Sequence, residues 1–438
     1  MSKIQDKDRY YHLLRYHVDF MFKAAYRRVE YHGKEKIPRD GAIIYACNHT
    51  NTLMDPLAIL AIDKSAKVFV ARADIFKHPL LLKFLTFLKM LPINRKRDGV
   101  ENLAKNEDIN EIVVDALHDK TPFCILPEGT HRPMHSLMSL QKGLFRIALQ
   151  ANDTFGNEMP VYIAPVGIEY GHFFRFRSSL LVQIGAPINV TQFVKKNPLL
   201  TLPQQINELR DKLSSQLKKL TLDIADDACY NATSELMQLY ESEQLRKINL
   251  DGSSLINRFT AAKKTIRDVA SFLKSNPTKM QKVLELTGDF ARQRKAQAIG
   301  IESVLKKHIR LSLLLNVLLL FIGLPYFIFS AVVTSPVTLL SIFLCSKFKD
   351  NAFHNSVRYL TALALLPVLL LLIGVVIFIL LPWMWGVAFV LLFTPSFFFL
   401  HEYLRLIRLI CSDVKWLINR SLYRQFKKIK ILMARLII

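Results

Sequence analysis

The amino-acid sequence predicts an α/β N-terminal domain, a mixed sheet flanked by helices, followed by a helical segment and C-terminal transmembrane helices. Short β-rich runs alternate with helical stretches over the first 200 residues, the pattern of an α/β domain. Residues 311–346 and 359–400 contain no Asp, Glu, Lys or Arg, and each stretch exceeds the roughly 20 residues that cross a bilayer once. The charge is lopsided: 59 Lys and Arg stand against 36 Asp and Glu, a net +23, in a 438-residue chain that is 51% hydrophobic. Such a chain is too apolar for a disordered basic tail and suits a basic protein meeting an anionic membrane.

Residues 1–30 read as an amphipathic helix on a membrane surface. Leu13, Leu14, His17, Val18, Phe20, Met21 and Ala25 fall near helical spacing among seven basic residues, so the same helix is equally suited to covering the domain's own core. No apolar run of signal-peptide length occurs there. The α/β domain is expected over 25–200, with strands at Arg28–His32, Ala42–Cys47, Lys67–Val70, Phe123–Leu126, Val161–Ile168 and Leu180–Ile184. Between them, Phe76–Leu88 is apolar enough to be core, with an acyl tunnel or a lipid-dipping surface as the other readings. Residues 201–310 carry polar helical patterns, broken near Asp251-Gly252 and Asn276-Pro277, and read as a helical spacer.

The two membrane segments, 311–346 and 359–400, contain breakers: Gly323, Pro325 and Pro336 in the first, Pro367, Pro382 and Pro395 in the second. Basic residues flank both: Lys306, Lys307 and Arg310 before the first, Lys347, Lys349 and Arg358 between them, and nine basic residues against Asp413 from Leu404 onward. The positive-inside rule puts all three flanks on the cytoplasmic side, which calls for an even number of crossings per run, as in two helical hairpins. Two long single helices with the middle loop outside are the simpler alternative. The tail 401–438 reads as a basic interfacial helix on anionic lipid.

Cys47, Cys124, Cys229, Cys345 and Cys411 are widely spaced with no C-x-x-C pair, which argues against zinc or a disulfide framework and for a reducing compartment. No metal-ligand cluster and no nucleic-acid motif is visible.

Four patches in the α/β domain carry residues suited to chemistry. Asn48-His49-Thr50-Asn51-Thr52-Leu53-Met54-Asp55-Pro56 follows a strand and opens a helix, with Asp55 expected at the N-cap and Pro56 at N1. A carboxylate beside His49 would fix the imidazole tautomer and hold it as a general base. Leu91–Gly99 contains Arg95-Lys96-Arg97, which suits a phosphate. Leu126-Pro127-Glu128-Gly129-Thr130-His131-Arg132, with Lys142-Gly143 beyond, can bracket a polyol phosphate. The fourth, Ile163–Tyr170, is a strand whose Pro165 is expected at an edge or bulge, and alone it says nothing about function.

Together and in this order, the patches resemble the glycerolipid acyltransferase family, which includes the glycerol-3-phosphate and 1-acylglycerol-3-phosphate acyltransferases. The resemblance covers about residues 25–190. Three departures stand out. Five residues rather than four separate His49 from Asp55, as in the fungal glycerol-3-phosphate/dihydroxyacetone-phosphate branch. Lys89 occupies a usual glycine, and Leu126 and the inserted His131 alter the third motif.

The resemblance implies direct attack of an acceptor hydroxyl on the thioester of acyl-CoA or acyl-carrier protein, with no acyl-enzyme, no metal and no other cofactor. His49 is then the general base and Asp55 its orienting carboxylate. Asn48, Arg95, Glu128, Gly129, Thr130 and Arg132 are expected on the glycerol phosphate. The expected protein is a membrane-bound O-acyltransferase of phospholipid biosynthesis, with an anionic phospholipid membrane, an acyl thioester donor and a glycerol phosphate acceptor as partners. An integral membrane location with the catalytic domain on the cytoplasmic face goes with it. The alternatives are another lysolipid acceptor or a non-catalytic membrane lipid-binding protein.

Overall fold

The computed structural model describes residues 3–94 and 106–437, with side chains through Ala434. It divides into two units, Met1–Thr221 with Leu344–Leu363, and Leu222–Phe343 with Ala364–Ile438.

The first unit is built on an eight-stranded mixed sheet. Its strands are β1 (Tyr26–His32), β2 (Ala42–Cys47), β3 (Val68–Arg72), β4 (Met90–Ile93), β5 (Phe123–Ile125), β6 (Val161–Tyr170), β7 (Ser178–Ile184) and β8 (Ile188–Asn189). The spatial order is β1-β7-β6-β2-β5-β3-β4, with β8 also on β6. The run β6-β2-β5-β3-β4 is parallel throughout, whereas β7 and β8 run antiparallel to β6. Central parallel strands are covered on both faces, which is why β2 reads Ala-Ile-Ile-Tyr-Ala-Cys without alternation. Because β2, β4, β5 and β6 point the same way, the loops that follow them leave from one edge of the sheet. That edge is where ligands gather in open parallel sheets.

Helices complete the layer. α1 (Arg9–Ala24) and α2 (Met54–Leu60) come first, then α3 (Pro79–Phe87), α4 (Asn106–His118), α5 (Gly143–Phe155), α6 (Val190–Lys196) and α7 (Leu202–Leu220). Val113 and Leu117 of α4, Phe145 and Ala148 of α5, and Leu209, Leu213 and Leu217 of α7 share one core with Ile44, Phe123 and Ile163 of the sheet. The apolar stripe of α7 therefore places 202–220 in the α/β unit, and the expected spacer from 201 gives way to a domain boundary at Thr221. The approach of α7 is close: a Cβ on Gly167 would stand 2.2 Å from the Leu220 carbonyl oxygen.

Two other expectations change, and two further features gain a local account. Pro165 lies on a central strand, not an edge; β8 pairs with Tyr162 and Ile163 and β7 begins at Val166, so the missing N–H falls where the partner strand switches. α3 is not core, since none of its residues is buried and Leu80, Leu81, Leu82 and Phe84 are exposed. α1 buries Tyr11, Arg15, Met21 and Phe22, while Tyr10, Leu13, Tyr16 and Phe20 face outward. Lys89 ends α3 in a left-handed conformation (φ 60°) that glycine adopts at no cost; its ammonium offsets the strain by donating to the carbonyls of Ile4 and Asp6.

The second unit is helical. Helices α8 (Tyr230–Leu239), α9 (Glu241–Lys247), α10 (Leu255–Ser275), α11 (Pro277–Ala296) and α12 (Ile301–Leu305) precede the apolar runs. The first run is divided into α13 (Ile309–Val333) and α14 (Ser335–Ser346), the second into α15 (Ala352–Leu380) and α16 (Trp383–Ile418), and α17 (Arg420–Ile437) follows. Helices α13, α15 and α16 are each long and apolar enough to cross a membrane. Only Pro336 and Pro382 coincide with breaks. Pro325, Pro367 and Pro395 sit inside helices, where membrane helices tolerate them. The apolar face of α17 is not offered to lipid: Leu422, Phe426, Ile429 and Met433 are buried with Tyr240, Leu284, Phe290 and Trp416. The tail expected at an interface is instead part of a protein core with α8 and α11.

Candidate active site

His49 lies two residues beyond β2, and its ring is held from one side. Its Nδ1 is 2.8 Å from Asp55 Oδ2, and the carboxylate oxygen accepts, so the pairing places an N–H on Nδ1 and turns Nε2 to the opposite side of the ring. Asp55 is wholly buried. Its Oδ2 also accepts the N–H groups of Thr50 and Asn51 at 2.8 Å each, and its Oδ1 accepts the Tyr170 hydroxyl at 2.7 Å. Four donors on one carboxylate compensate the removal of its charge from water. Asp55 is not the N-cap expected from Asp-Pro: α2 begins at Met54, and the carboxylate turns back to organise the preceding loop. Burial and the Asp55 charge keep the Tyr170 hydroxyl well above the usual tyrosine range, so it stays a donor.

Asn48 and Glu128, expected on the acceptor, are occupied by backbone. The Asn48 amide donates to Ile168 O at 3.0 Å and accepts Ile168 N–H at 2.7 Å, tying the β2 loop to β6. Glu128 is buried, accepting the His49 N–H at 2.8 Å on Oε1 and the Met138 N–H at 3.1 Å on Oε2. Burial raises its carboxyl to about 7, outweighing those two donors. Both side chains set the height of His49 above the sheet.

The loop after β5 supplies the second wall. Gly129 adopts φ 70°, in the left-handed region, and it and Thr130 are exposed at the loop tip. The Arg132 N–H donates to His49 O at 3.0 Å and its guanidinium to Ser136 Oγ at 2.7 Å. The inserted His131 lies edge-on to His49, with ring centroids 5.6 Å apart. A second imidazole–carboxylate pair, His135 Nδ1 to Glu169 Oε2 at 3.0 Å, sits beside Tyr170 in sequence. Asn94 is the last described residue after β4; Arg95 lies outside the described residues.

The arrangement presents His49 Nε2, opposite the carboxylate-bound Nδ1, for one proton transfer. Cys47, two residues away, is buried, and its contact with Cys124 together with burial pushes its thiol up, which unsuits it as a nucleophile. The five cysteines are free, and among the described residues no cluster of His, Cys, Asp or Glu could hold a metal.

A His–Asp pair lies on the carboxyl edge of a largely parallel sheet beside a Pro-Glu-Gly-Thr loop, and the acyltransferase family profile matches residues 28–169. Glycerol-3-phosphate O-acyltransferase 1 of Saccharomyces cerevisiae (strain ATCC 204508 / S288c) is 30% identical over 129 residues, 29% of this chain and 17% of that protein. Glycerol-3-phosphate O-acyltransferase 2 of the same yeast is 28% identical over 145 residues, 32% and 19% of the two lengths. The chain thus spans under a fifth of these relatives. Among solved structures, the 1-acyl-sn-glycerophosphate (LPA) acyltransferase PlsC from Thermotoga maritima is similar with a TM-score of 0.35 and 18% identity, over 49% of this chain and 83% of that one.

Proposed function

We propose that the protein is a membrane-bound O-acyltransferase that moves a fatty acyl group from acyl-CoA or acyl-carrier protein to a glycerol phosphate. The observation that carries this reading is the Tyr170–Asp55–His49 chain, which leaves a single basic nitrogen facing outward. His49 Nε2 takes the proton of the acceptor hydroxyl as its oxygen bonds to the thioester carbon. Asp55 stabilises the imidazolium, and collapse of the tetrahedral intermediate breaks the C–S bond, the thiolate recovering the proton from Nε2. A positioned base contributes roughly 10²–10⁴-fold; holding donor and acceptor together supplies much of the rest. Arg95, Gly129, Thr130 and Arg132 are the proposed acceptor-side residues, while Asn48 and Glu128 fix the loop that carries His49.

Glycerol 3-phosphate is the preferred acceptor, supported by both yeast relatives being glycerol-3-phosphate O-acyltransferases and by the five-residue spacing between His49 and Asp55. The exposed leucines and aromatics of α1 and α3 support a domain seated on the bilayer. Lys347 and Lys349, between the apolar runs, belong to the same unit as the catalytic loops, which favours a cytoplasmic catalytic face on an anionic membrane.

The test is the full chain in phospholipid vesicles with labelled palmitoyl-CoA, offered glycerol 3-phosphate, dihydroxyacetone phosphate and lysophosphatidate. Wild type acylates glycerol 3-phosphate fastest and His49→Ala none of them. Full activity of His49→Ala would overturn the mechanism, and preference for lysophosphatidate would move the acceptor assignment one acylation later.

A further inference from the structure

The catalytic loops are gripped by a stretch of chain some 300 residues further along. Thr52 sits in the longer spacing between His49 and Asp55 with φ 39°, a conformation that non-glycine residues hold only where their surroundings impose it. Its Oγ1 is 2.6 Å from Ser356 Oγ and 3.2 Å from Ala352 O. Across the site, His131 Nε2 donates to Asp350 Oδ2 at 2.8 Å, while Asp350 Oδ1 is fixed by the Ala352 N–H at 2.9 Å. The His131 ring therefore stands between two partners, edge-on to His49 and edge-on to Phe353 at 5.2 Å. Arg358 donates to Phe174 O at 3.3 Å, beside Phe173, whose carbonyl accepts the Asn51 amide at 2.9 Å. Ala352, Asn355 and Ser356 are buried.

These contacts are aimed at side chains and loops around His49 rather than at the sheet core. The residues that make them begin α15, the helix that continues into the second apolar run. We propose that the segment joining the two apolar runs is a working part of the acyl-transfer site, with Asp350 and Ser356 as positioning residues that act on His49 through His131 and Thr52. The inference rests on the acyltransferase reading above and adds to it a route by which seating of the apolar helices sets the geometry of the base. Without Asp350 the His131 ring loses its orientation and no longer backs His49. Without the Ser356 hydroxyl the strained Thr52 turn is free to relax, and the Asp55 carboxylate shifts with it. Misplacement of a reacting group by about 1 Å is enough to cost on the order of 10²-fold in rate.

The experiment uses the full chain in phosphatidylcholine vesicles, with palmitoyl-CoA and glycerol 3-phosphate. Asp350→Ala is expected to lower kcat about tenfold or more with the palmitoyl-CoA KM unchanged, and Asp350→Glu to recover much of the loss. In a His131→Ala background, Asp350→Ala is expected to cost nothing further; likewise Ser356→Ala in a Thr52→Gly background. Wild-type kcat in both single variants, an effect confined to KM, or full additivity with His131→Ala would overturn the proposal. Amide hydrogen exchange gives an answer that does not depend on turnover. If the wild type transfers no acyl group, the enzyme reading fails, whereas the positioning claim is still decided by exchange over Thr50–Leu53 and Gly129–Ser136. Faster exchange there at an unchanged thermal midpoint supports it; unchanged exchange overturns it.

Discussion

The Tyr170 hydroxyl donates to Asp55 Oδ1 at 2.7 Å, on the opposite oxygen from the one that holds His49. The bond joins the end of β6 to the first turn of α2, so the orientation of the base depends on the register of the sheet. Tyr170→Phe leaves the ring in place and removes one donor from a buried carboxylate, a loss of about 1–3 kcal/mol. The expected result is a lower thermal midpoint and reduced kcat with substrate KM values little changed. Steady-state kinetics beside calorimetry checks it.

Asp55→Asn tests the tautomer. An amide oxygen still accepts from the loop N–H groups, but the amide nitrogen cannot accept from Tyr170, and His49 loses the charge that stabilises its protonated form. A kcat loss of roughly 10²–10⁴-fold is expected, with folding retained by circular dichroism.

Glu128 gives a pH dependence of known sign. Its carboxyl stands at about 7 in the folded chain against 4.5 for the ordinary group, so the folded protein binds the proton more tightly than the unfolded one. The stabilising contribution is complete below about pH 4.5 and is lost as pH rises through 7. The stability difference between wild type and Glu128→Gln should therefore shift against the wild type from pH 5 to pH 7.5, measured as paired thermal midpoints. A difference flat across that range would contradict the assignment.

Gly167→Ala is expected to lower the thermal midpoint, because its Cβ would meet the Leu220 carbonyl oxygen at 2.2 Å and separate α7 from β6. Such overpacking costs about 1–3 kcal/mol. Leu81→Ser in exposed α3 makes the contrast: it should leave the midpoint within about 0.5 kcal/mol while lowering acylation of a vesicle-borne acceptor if α3 rests on lipid.

Much of the domain is legible in its sequence because its strands are short apolar runs ended by polar loops. β2 stands where Ala42–Cys47 puts it, and β5 and β6 fall within a residue or two of expectation. Met90–Ile93 and Ile188–Asn189 are too short to carry a period of their own. Residue type identified Asn48 and Glu128 as capable of binding a polyol, but direction is set by the tertiary fold, and both face backbone. Tyr170 closes the strand read as carrying no function by itself. Its role appears only when the parallel order brings the ends of β2 and β6 to one edge. Asp350 and Ser356 lack any local sign, since their partners lie 219 and 304 residues away. Exposure of α3 was hidden for a related reason: an apolar helix left on a surface has the composition of a core helix.

The bond between Thr52 and Ser356 also sets an order of events during synthesis. The 304 residues between them take roughly 15–60 s to translate at about 5–20 residues per second. From the completion of β8 at Asn189 until Ser356 is made, the sheet and the His49 loop stand without the residues that grip them. The first apolar run, 311–346, is synthesised before Asp350 and Ser356. A newly made domain thus waits for the segment between its two apolar runs before the contacts around His49 are complete.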